Sequence, residues 1–339
     1  MTEQPRPWAS IIIVNYNAGK FLQSAIDAVA AQTDQDFELI LVDNASTDGS
    51  FDNLHTDHIK TIKQMPMGEN TGFARGNNLA AEQARGQWII LLNPDTKAHS
   101  DWLAQFRAAT EAHPEAAMVA GATIDMTTPD KLDGAGDCYF VAGLPWRGGY
   151  QRPATELPDA GECFSPCGAS ALFRRDTFLD TGGFDEDFFC YCEDVDLGFR
   201  LRLEGQICVF WPEAKTAHFG SGSSGVASPF SIRHGTRNRF WTYLKNMPPL
   251  AFWVLLPAHI LLTLVLVLRA IPQGRLAPTL DGLWQGLRGI GRILKTRKTV
   301  QARRKLTSLQ ISRAMSWNVI TALTRRTHVR PFHSRQKKP

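Results

Sequence analysis

Acidic side chains nearly vanish from the last third of the chain. Residues 231–339 hold 21 Lys and Arg against 1 Asp or Glu, a net of +20, whereas residues 1–230 hold 16 against 32, a net of −16. The overall +4 therefore conceals two opposite parts, and the basic one calls for an anionic partner, a nucleic acid or an anionic membrane surface. The start of the chain lacks the apolar core of a secretory leader. Residues 1–10 are polar and proline-rich and the apolar run 11–14 is too short, which sets the expectation of a chain that starts in the cytoplasm. Zinc spacing is missing as well. The 6 cysteines include Cys163-x3-Cys167 and Cys190-x-Cys192, but no second C-x-x-C and no histidine at structural-zinc distance accompanies them, so they read as reduced, buried thiols.

What is present is a series of short apolar runs that end in polar clusters. Ser10-Ile-Ile-Ile-Val-Asn-Tyr-Asn17 is a β-branched run, and Phe21, Leu22, Ala25, Ile26 and Val29 then recur at helical spacing. Phe37-Glu-Leu-Ile-Leu-Val-Asp43 opens into Asp43-Asn-Ala-Ser-Thr-Asp-Gly-Ser50, and Trp88-Ile-Ile-Leu-Leu-Asn-Pro-Asp-Thr96 stops on Asn93-Pro94-Asp95. With a short strand near 59–62 and a helix through 79–84, the order is βαβαβαβ, which predicts a doubly wound, mostly parallel α/β sheet. Such strands are apolar throughout because helices cover both faces, and ligands bind beyond their carboxyl ends. Asn15, Asp43 and Asp95 thus point to one crevice. Asp95 suits a hard cation that holds phosphate oxygens; the competing reading is a helix cap. Asp43 suits a nucleobase or ribose, or else is a turn-forming Asx residue. In Asn70-Thr-Gly-Phe-Ala-Arg-Gly-Asn-Asn78 the glycines Gly72 and Gly76 permit close backbone approach to a ligand, and Arg75 offers a phosphate contact.

These motifs, Ser10–Asn17, Val42-Asp-Asn-Ala-Ser-Thr-Asp-Gly49, Asn70–Asn78 and Leu91-Leu-Asn-Pro-Asp95, resemble in order and spacing those of family 2 glycosyltransferases of the GT-A fold, with the nearest likeness to bacterial rhamnosyltransferases that use dTDP-rhamnose. The resemblance implies a nucleotide-sugar donor, bound through Asn15, Asp43, Asn44, Gly72, Arg75 and Asn93, and a divalent cation, Mg2+ or Mn2+, on the diphosphate. Asn93 stands where the family usually carries the first aspartate of a DxD motif. Asp95 then carries the metal contact, and Asn93 offers a neutral amide oxygen. A UDP-hexose or UDP-N-acetylhexosamine is the alternative donor, and a non-catalytic carbohydrate-binding relative the alternative class.

Farther along, residues 102–112 read as a helix and 118–124 as a strand. The glycine- and aromatic-rich 134–149 reads as a flexible loop near the acceptor. Glu193-Asp-Val-Asp196 opens a helix, and three acids in four positions exceed what helix capping asks for; their mutual repulsion should raise at least one pKa. The stretch from Cys167 to Gly205 is similar to the family's acceptor-side signature. That resemblance makes Asp194 the general base and Glu193 its neighbour at the acceptor, in a single inverting displacement. Residues 209–212 read as a last strand. Gly220, Gly222 and Gly225 fit G-x-G-x-x-G but lie in no βαβ unit, so the segment is expected as a mobile loop over the diphosphate. His218 is either a packed side chain or, as the family position implies, a metal or phosphate ligand; Arg237, in another family-like segment, offers a phosphate contact or lies on a solvated helix face.

Residues 246–268 contain no charged side chain and are long enough to cross a bilayer, although Pro257 and His259 interrupt the run. A buried core helix is the alternative. Leu280, Leu283, Trp284, Leu287, Ile290 and Leu294 form a second apolar stripe beside Arg288, Arg292 and Lys295, as an interfacial helix requires. A nucleic-acid tail would explain the charge but not the apolar run, so no nucleic-acid partner is expected. The division is a GT-A catalytic domain over 1–230, a basic connecting helix over 231–245, a membrane-associated helical segment over 246–295 and a basic tail over 296–339. The chain is expected at the cytoplasmic face of the bacterial inner membrane, with a polyprenyl-diphosphate-linked saccharide as acceptor.

Overall fold

The computed structural model describes residues 6–52, 54–220 and 227–332. The chain begins with β1 (Ala9–Asn15), α1 (Lys20–Ala30), β2 (Phe37–Asp43), β3 (Ile62–Pro66), α2 (Gly72–Gln83), β4 (Trp88–Leu92), the short β5 (Thr96–Ala98), α3 (Trp102–Ala112) and β6 (Met118–Asp125). Every residue of β1, β2 and β4 is buried. Ile11 and Ile13 face a core built with Leu22, Ile26, Trp102 and Phe106 of α1 and α3, while Ile12 and Val14 face a second core with Ala74 and Ala81 of α2. Two covered faces explain why these strands read as unbroken apolar runs rather than alternating ones.

Next come β7 (Leu132–Ala135), β8 (Asp137–Phe140), β9 (Leu144–Arg147), β10 (Gly161–Cys163), β11 (Ser170–Arg174), α4 (Arg175–Asp180), α5 (Glu193–Leu203) and β12 (Cys208–His218). The main sheet runs β10-β12-β6-β11-β4-β1-β2-β3, with β5 beside β12 and β7 beside β6. Its β4-β1-β2-β3 half is parallel, as expected. The other half is mixed, because β11 is antiparallel to both β4 and β6. Residues 134–149, expected as a flexible loop, instead form a β8–β9 hairpin with Cys138 and Tyr139 fully buried. The strand expected at 209–212 runs on to His218: Pro212 sits at a register shift between Trp211 and Lys215, where its missing donor costs no ladder bond.

The C-terminal part is helical: α6 (Pro229–Asn246), α7 (Pro249–Ala270), α8 (Leu276–Arg288), α9 (Ile290–Arg303), α10 (Ser308–Ser312) and α11 (Val319–Leu323). The Ser228 hydroxyl accepts from the Ser231 N–H, with Pro229 as the first helical residue, a well-formed start for α6. Within α6, Lys245 is fully buried, 2.6 Å from Asp185 and 2.7 Å from Asp196, and Asn246 donates to the other oxygen of Asp196. Asp196 is thereby consumed in joining α5 to α6. Burial alone would raise its pKa, but Lys245 and Arg200 outweigh burial and hold it below the usual range. Removing one partner of a buried pair is strongly destabilising, so Lys245→Met is expected to lower stability by about 3 kcal/mol, read from the denaturant midpoint.

Residues 296–332, expected as a basic tail, fold back onto the acidic domain. Arg303 pairs with Glu204 at 2.6 Å and Arg330 with Glu162 at 2.8 Å, while Arg297 donates to the Leu244 carbonyl of the connecting helix α6. Part of the charge asymmetry is therefore answered within the molecule. The last basic residues, in 333–339, lie outside the described residues.

Candidate active site

The parallel register sets Asn15 opposite Asp43 at the carboxyl edge of the sheet. The Asn15 amide donates to Asp43 Oδ1 at 2.9 Å and to the hydroxyls of Ser46 and Ser50; Asp43 Oδ2 accepts from the Ser46 N–H. Asn44 ties this edge to the start of α2: its Oδ1 accepts from the Thr71 N–H and hydroxyl, and its amide donates to Asn70 Oδ1 and the Gly72 carbonyl. Gly72 opens α2 at φ +81°, and a Cβ there would fall 2.5 Å from the Phe189 ring, so glycine is required twice over. Arg75 lies inside α2, not in a loop, and its half-exposed guanidinium is 3.8 Å from Glu186.

At the neighbouring strand end, the Thr96 N–H and hydroxyl bond the Asn93 carbonyl, and the Asn93 N–H donates to Ala169, which fixes the Asn93-Pro94-Asp95 turn. The antiparallel pairing of β5 and β12 sets His218 opposite Thr96. His218 is 3% exposed, with Nε2 3.2 Å from Asp95 Oδ1 and Nδ1 2.8 Å from Asp133 Oδ2. Arg147 Nη1 meets the same Asp133 oxygen at 2.7 Å. His218 therefore belongs to a strand rather than to a mobile loop; Gly222 and Gly225 of that expected loop lie outside the described residues. Burial alone would lower the pKa of His218, but hydrogen bonds to Asp133 and Asp95 outweigh burial and hold it at about 9. Burial would likewise raise Asp133, yet Arg147 and His218 keep it well below the usual carboxylate range.

This donor set fits a divalent cation. Two carboxylates and a histidine converge at the polar edge, with Arg147 on the far carboxylate. Asp95 and His218 would be the ligands, with Asp133 fixing the ring from behind as carboxylate partners of metal-bound histidines do. Asp133→Asn is accordingly expected to weaken Mn2+ binding by about 10- to 100-fold, measured by calorimetry on the folded variant, with a lowered melting temperature because Arg147 and His218 lose a buried partner.

Across the crevice, α5 begins at Glu193 directly after a contorted turn. Phe189, Tyr191 and Cys192 all have φ between 63° and 72°, a conformation costly for such residues unless the surroundings enforce it. Asn238 enforces it, its amide donating to the carbonyls of Phe188, Cys190 and Tyr191. Arg237 beside it donates to the Asp187 and Phe188 carbonyls and lies over Trp241, so it braces the same turn. Asp194 Oδ2 accepts from the Gly168 N–H at 2.9 Å, and Oδ1 from the Val195 N–H. Glu193 is 5% exposed; burial, then the charge of Asp194, lifts its pKa well above the usual value. Polar atoms of Asp137, Cys167 and Asp194 lie within 4.8 Å of one another, and burial followed by the charge of Asp194 keeps Asp137 strongly raised. Arg147 acts electrostatically on Asp133, Asp137 and Asp194 alike, joining the two halves of the site.

Sequence reading missed Asp133, Asp137 and Arg147, and singled out Arg237-Asn238 for phosphate rather than for bracing this turn. The first two flank Gly134-Ala-Gly136, and a pair of acids framing glycines in an otherwise apolar stretch was the available signal.

The model of the family described as Glycosyl transferase family 2 matches residues 10–182. The chain is 26% identical over 249 residues to an N-acetylglucosaminyl-diphospho-decaprenol L-rhamnosyltransferase of Mycobacterium tuberculosis, covering 66% of this chain and 80% of that protein. It is 28% identical over 237 residues to the O-antigen biosynthesis protein RfbC of Myxococcus xanthus, covering 64% of this chain and 18% of that protein. Among solved structures, the mannosyltransferase PcManGT of Pyrobaculum calidifontis, in complex with GDP-Man and Mn2+, aligns with TM-score 0.54 at 17% identity, over 94% of this chain and 88% of that one. GalNAc-T7 with UDP, GalNAc and Mn2+ aligns with TM-score 0.56 at 17% identity, over 72% and 51%. At such identity the structural likeness concerns the fold, which is GT-A.

Proposed function

From the premise that this chain belongs to glycosyltransferase family 2, we propose that it transfers L-rhamnose from dTDP-rhamnose to a polyprenyl-diphosphate-linked saccharide in cell-envelope polysaccharide synthesis, by a metal-dependent inverting displacement. The observation that carries this reading is the 26% identity, over most of both chains, to an enzyme whose name states a rhamnosyl transfer onto a decaprenyl diphosphate-linked sugar.

The residues divide the work by position. Asp43, Asn15 and Asn44 hold the nucleoside end of the donor, and the close backbone at Gly72 lets it lie against α2. Asp95 and His218 would hold the cation, which when bound would neutralise charge on the departing diphosphate. Asp194 takes the proton of an acceptor hydroxyl as that oxygen attacks the anomeric carbon and the bond to the diphosphate oxygen breaks. Glu193, buried beside Asp194 with its pKa raised first by burial, contacts the acceptor rather than serving as the base. The C-terminal segment keeps the chain at the cytoplasmic face of the membrane, where a polyprenyl-linked acceptor resides.

The test is the product. Purified full-length protein given dTDP-rhamnose and polyprenyl-diphosphate N-acetylglucosamine is expected to add one deoxyhexose, with the anomeric configuration opposite to the donor's by NMR. Retained configuration would contradict a single displacement, and product formed only from a UDP-hexose would replace the donor.

A further inference from the structure

The 22-residue α7 is the longest apolar helix, yet only Ala251, His259 and Ala270 of it are buried. Trp253 is 69% exposed, Leu261 63%, and Leu264 and Leu268 are similarly bare, so this is no core helix. Nor does it stand clear of the catalytic domain as a bilayer crossing would. At its midpoint, His259 Nδ1 lies 2.9 Å from the Ala142 carbonyl in the β8–β9 turn, and its ring stacks on Tyr243 of α6 at 3.9 Å. One turn on, the Thr263 hydroxyl accepts from Arg239, whose guanidinium also donates to the Gly143 carbonyl. A crossing would place that guanidinium and the hairpin turn near the bilayer midplane, a costly site for charge and for irregular backbone.

The chain after α7 argues the same way. Trp241 of α6 donates to the Gly286 carbonyl of α8, Arg303 of α9 pairs with Glu204, and Arg330 pairs with Glu162. Among the described residues, the chain beyond α7 returns to the side from which it departed, so a single crossing is excluded by connectivity. The hairpin is gripped from a second direction by Ser316, whose N–H and carbonyl bond Tyr139 and Val141; the adjoining Trp317 and Ile320 are 62% and 61% exposed. Exposed Arg269, Arg275, Arg288, Lys295 and Lys298 lie along the same helices, and Asp281, the only acidic residue there, is paired with Arg233.

We infer that α7 lies in the plane of an anionic lipid leaflet without crossing it, its apolar face embedded and its other face holding the β8–β9 hairpin. Because β8 begins at Asp137, beside Asp194, the leaflet adjoins the acceptor side of the crevice. This rests on the lipid-linked acceptor reading for its purpose alone, since the topology can be tested with no sugar transferred.

Epitope tags at both termini of the full chain, probed with protease in spheroplasts and in inverted membrane vesicles, are expected to be cut only in the inverted vesicles. Loss of the C-terminal tag from intact spheroplasts would overturn the inference. In flotation, the protein is expected to bind phosphatidylglycerol vesicles at least about tenfold better than phosphatidylcholine vesicles, and a Leu261→Glu/Leu264→Glu variant to lose that binding about tenfold or more while keeping its melting temperature and donor affinity. Equal flotation of the variant, no lipid-charge preference, or a lipid-free soluble dimer closed over this face would each overturn it. Flotation that persists when dTDP-rhamnose transfer fails would discard the donor and leave the topology standing.

Discussion

Asp194→Asn is expected to lower turnover by about 10²- to 10⁴-fold, the range for losing a positioned general base, while the Kd for the donor nucleotide-sugar stays within about twofold. The carboxylate is held rigidly, one oxygen on the Gly168 N–H and the other on the Val195 N–H, at a helix N-terminus that favours negative charge. Its acidic neighbours cannot substitute. Glu193 and Asp137 are buried with strongly raised pKa values, and Asp196 is locked between Lys245 and Arg200. Asparagine keeps the size and one of the two acceptors, so one backbone bond is given up along with the capacity to take a proton. Turnover within threefold of wild type would remove Asp194 from the role, and a parallel loss of donor affinity would make it a binding residue.

Asp95→Asn should cost about as much by a different route. It leaves the His218–Asp133 pair intact but removes the hard anionic oxygen facing that ring. Charge stabilisation by a metal is worth several kcal/mol, so a loss of about 10³-fold in turnover is expected, accompanied by weaker Mn2+ binding. The two variants are distinguishable. Raising Mn2+ should recover part of the Asp95→Asn deficit and none of the Asp194→Asn deficit, and the reverse pattern would exchange the assignments.

Which parts of this site were readable in the chain follows from how local each signal is. β1, β2 and β4 and their polar ends announce themselves because a doubly covered strand needs an unbroken apolar run, and the run must stop where the ligand edge begins. The hairpin at 137–147 gave no such signal: its strands have four residues each, and the glycines that admit close packing look like loop residues. Gly136, at φ +69°, would put a Cβ 2.8 Å from Cys163 Sγ. His218 looked like a loop residue because Pro212 suggested a strand end, whereas a bulge carries the strand past it. Asp133 meets His218 across 85 residues, and Arg303 meets Glu204 across 99. No periodicity encodes pairings at that distance, which is why the basic segment read as a free tail.

The most direct test of the account is nucleotide release by the full-length protein from a panel of dTDP-, UDP- and GDP-sugars, with a polyprenyl-diphosphate-linked N-acetylglucosamine acceptor, with and without Mg2+ or Mn2+. Release is expected from dTDP-rhamnose alone, dependent on both the cation and the acceptor. Release that persists after chelation, or that comes only from another nucleotide-sugar, would contradict it.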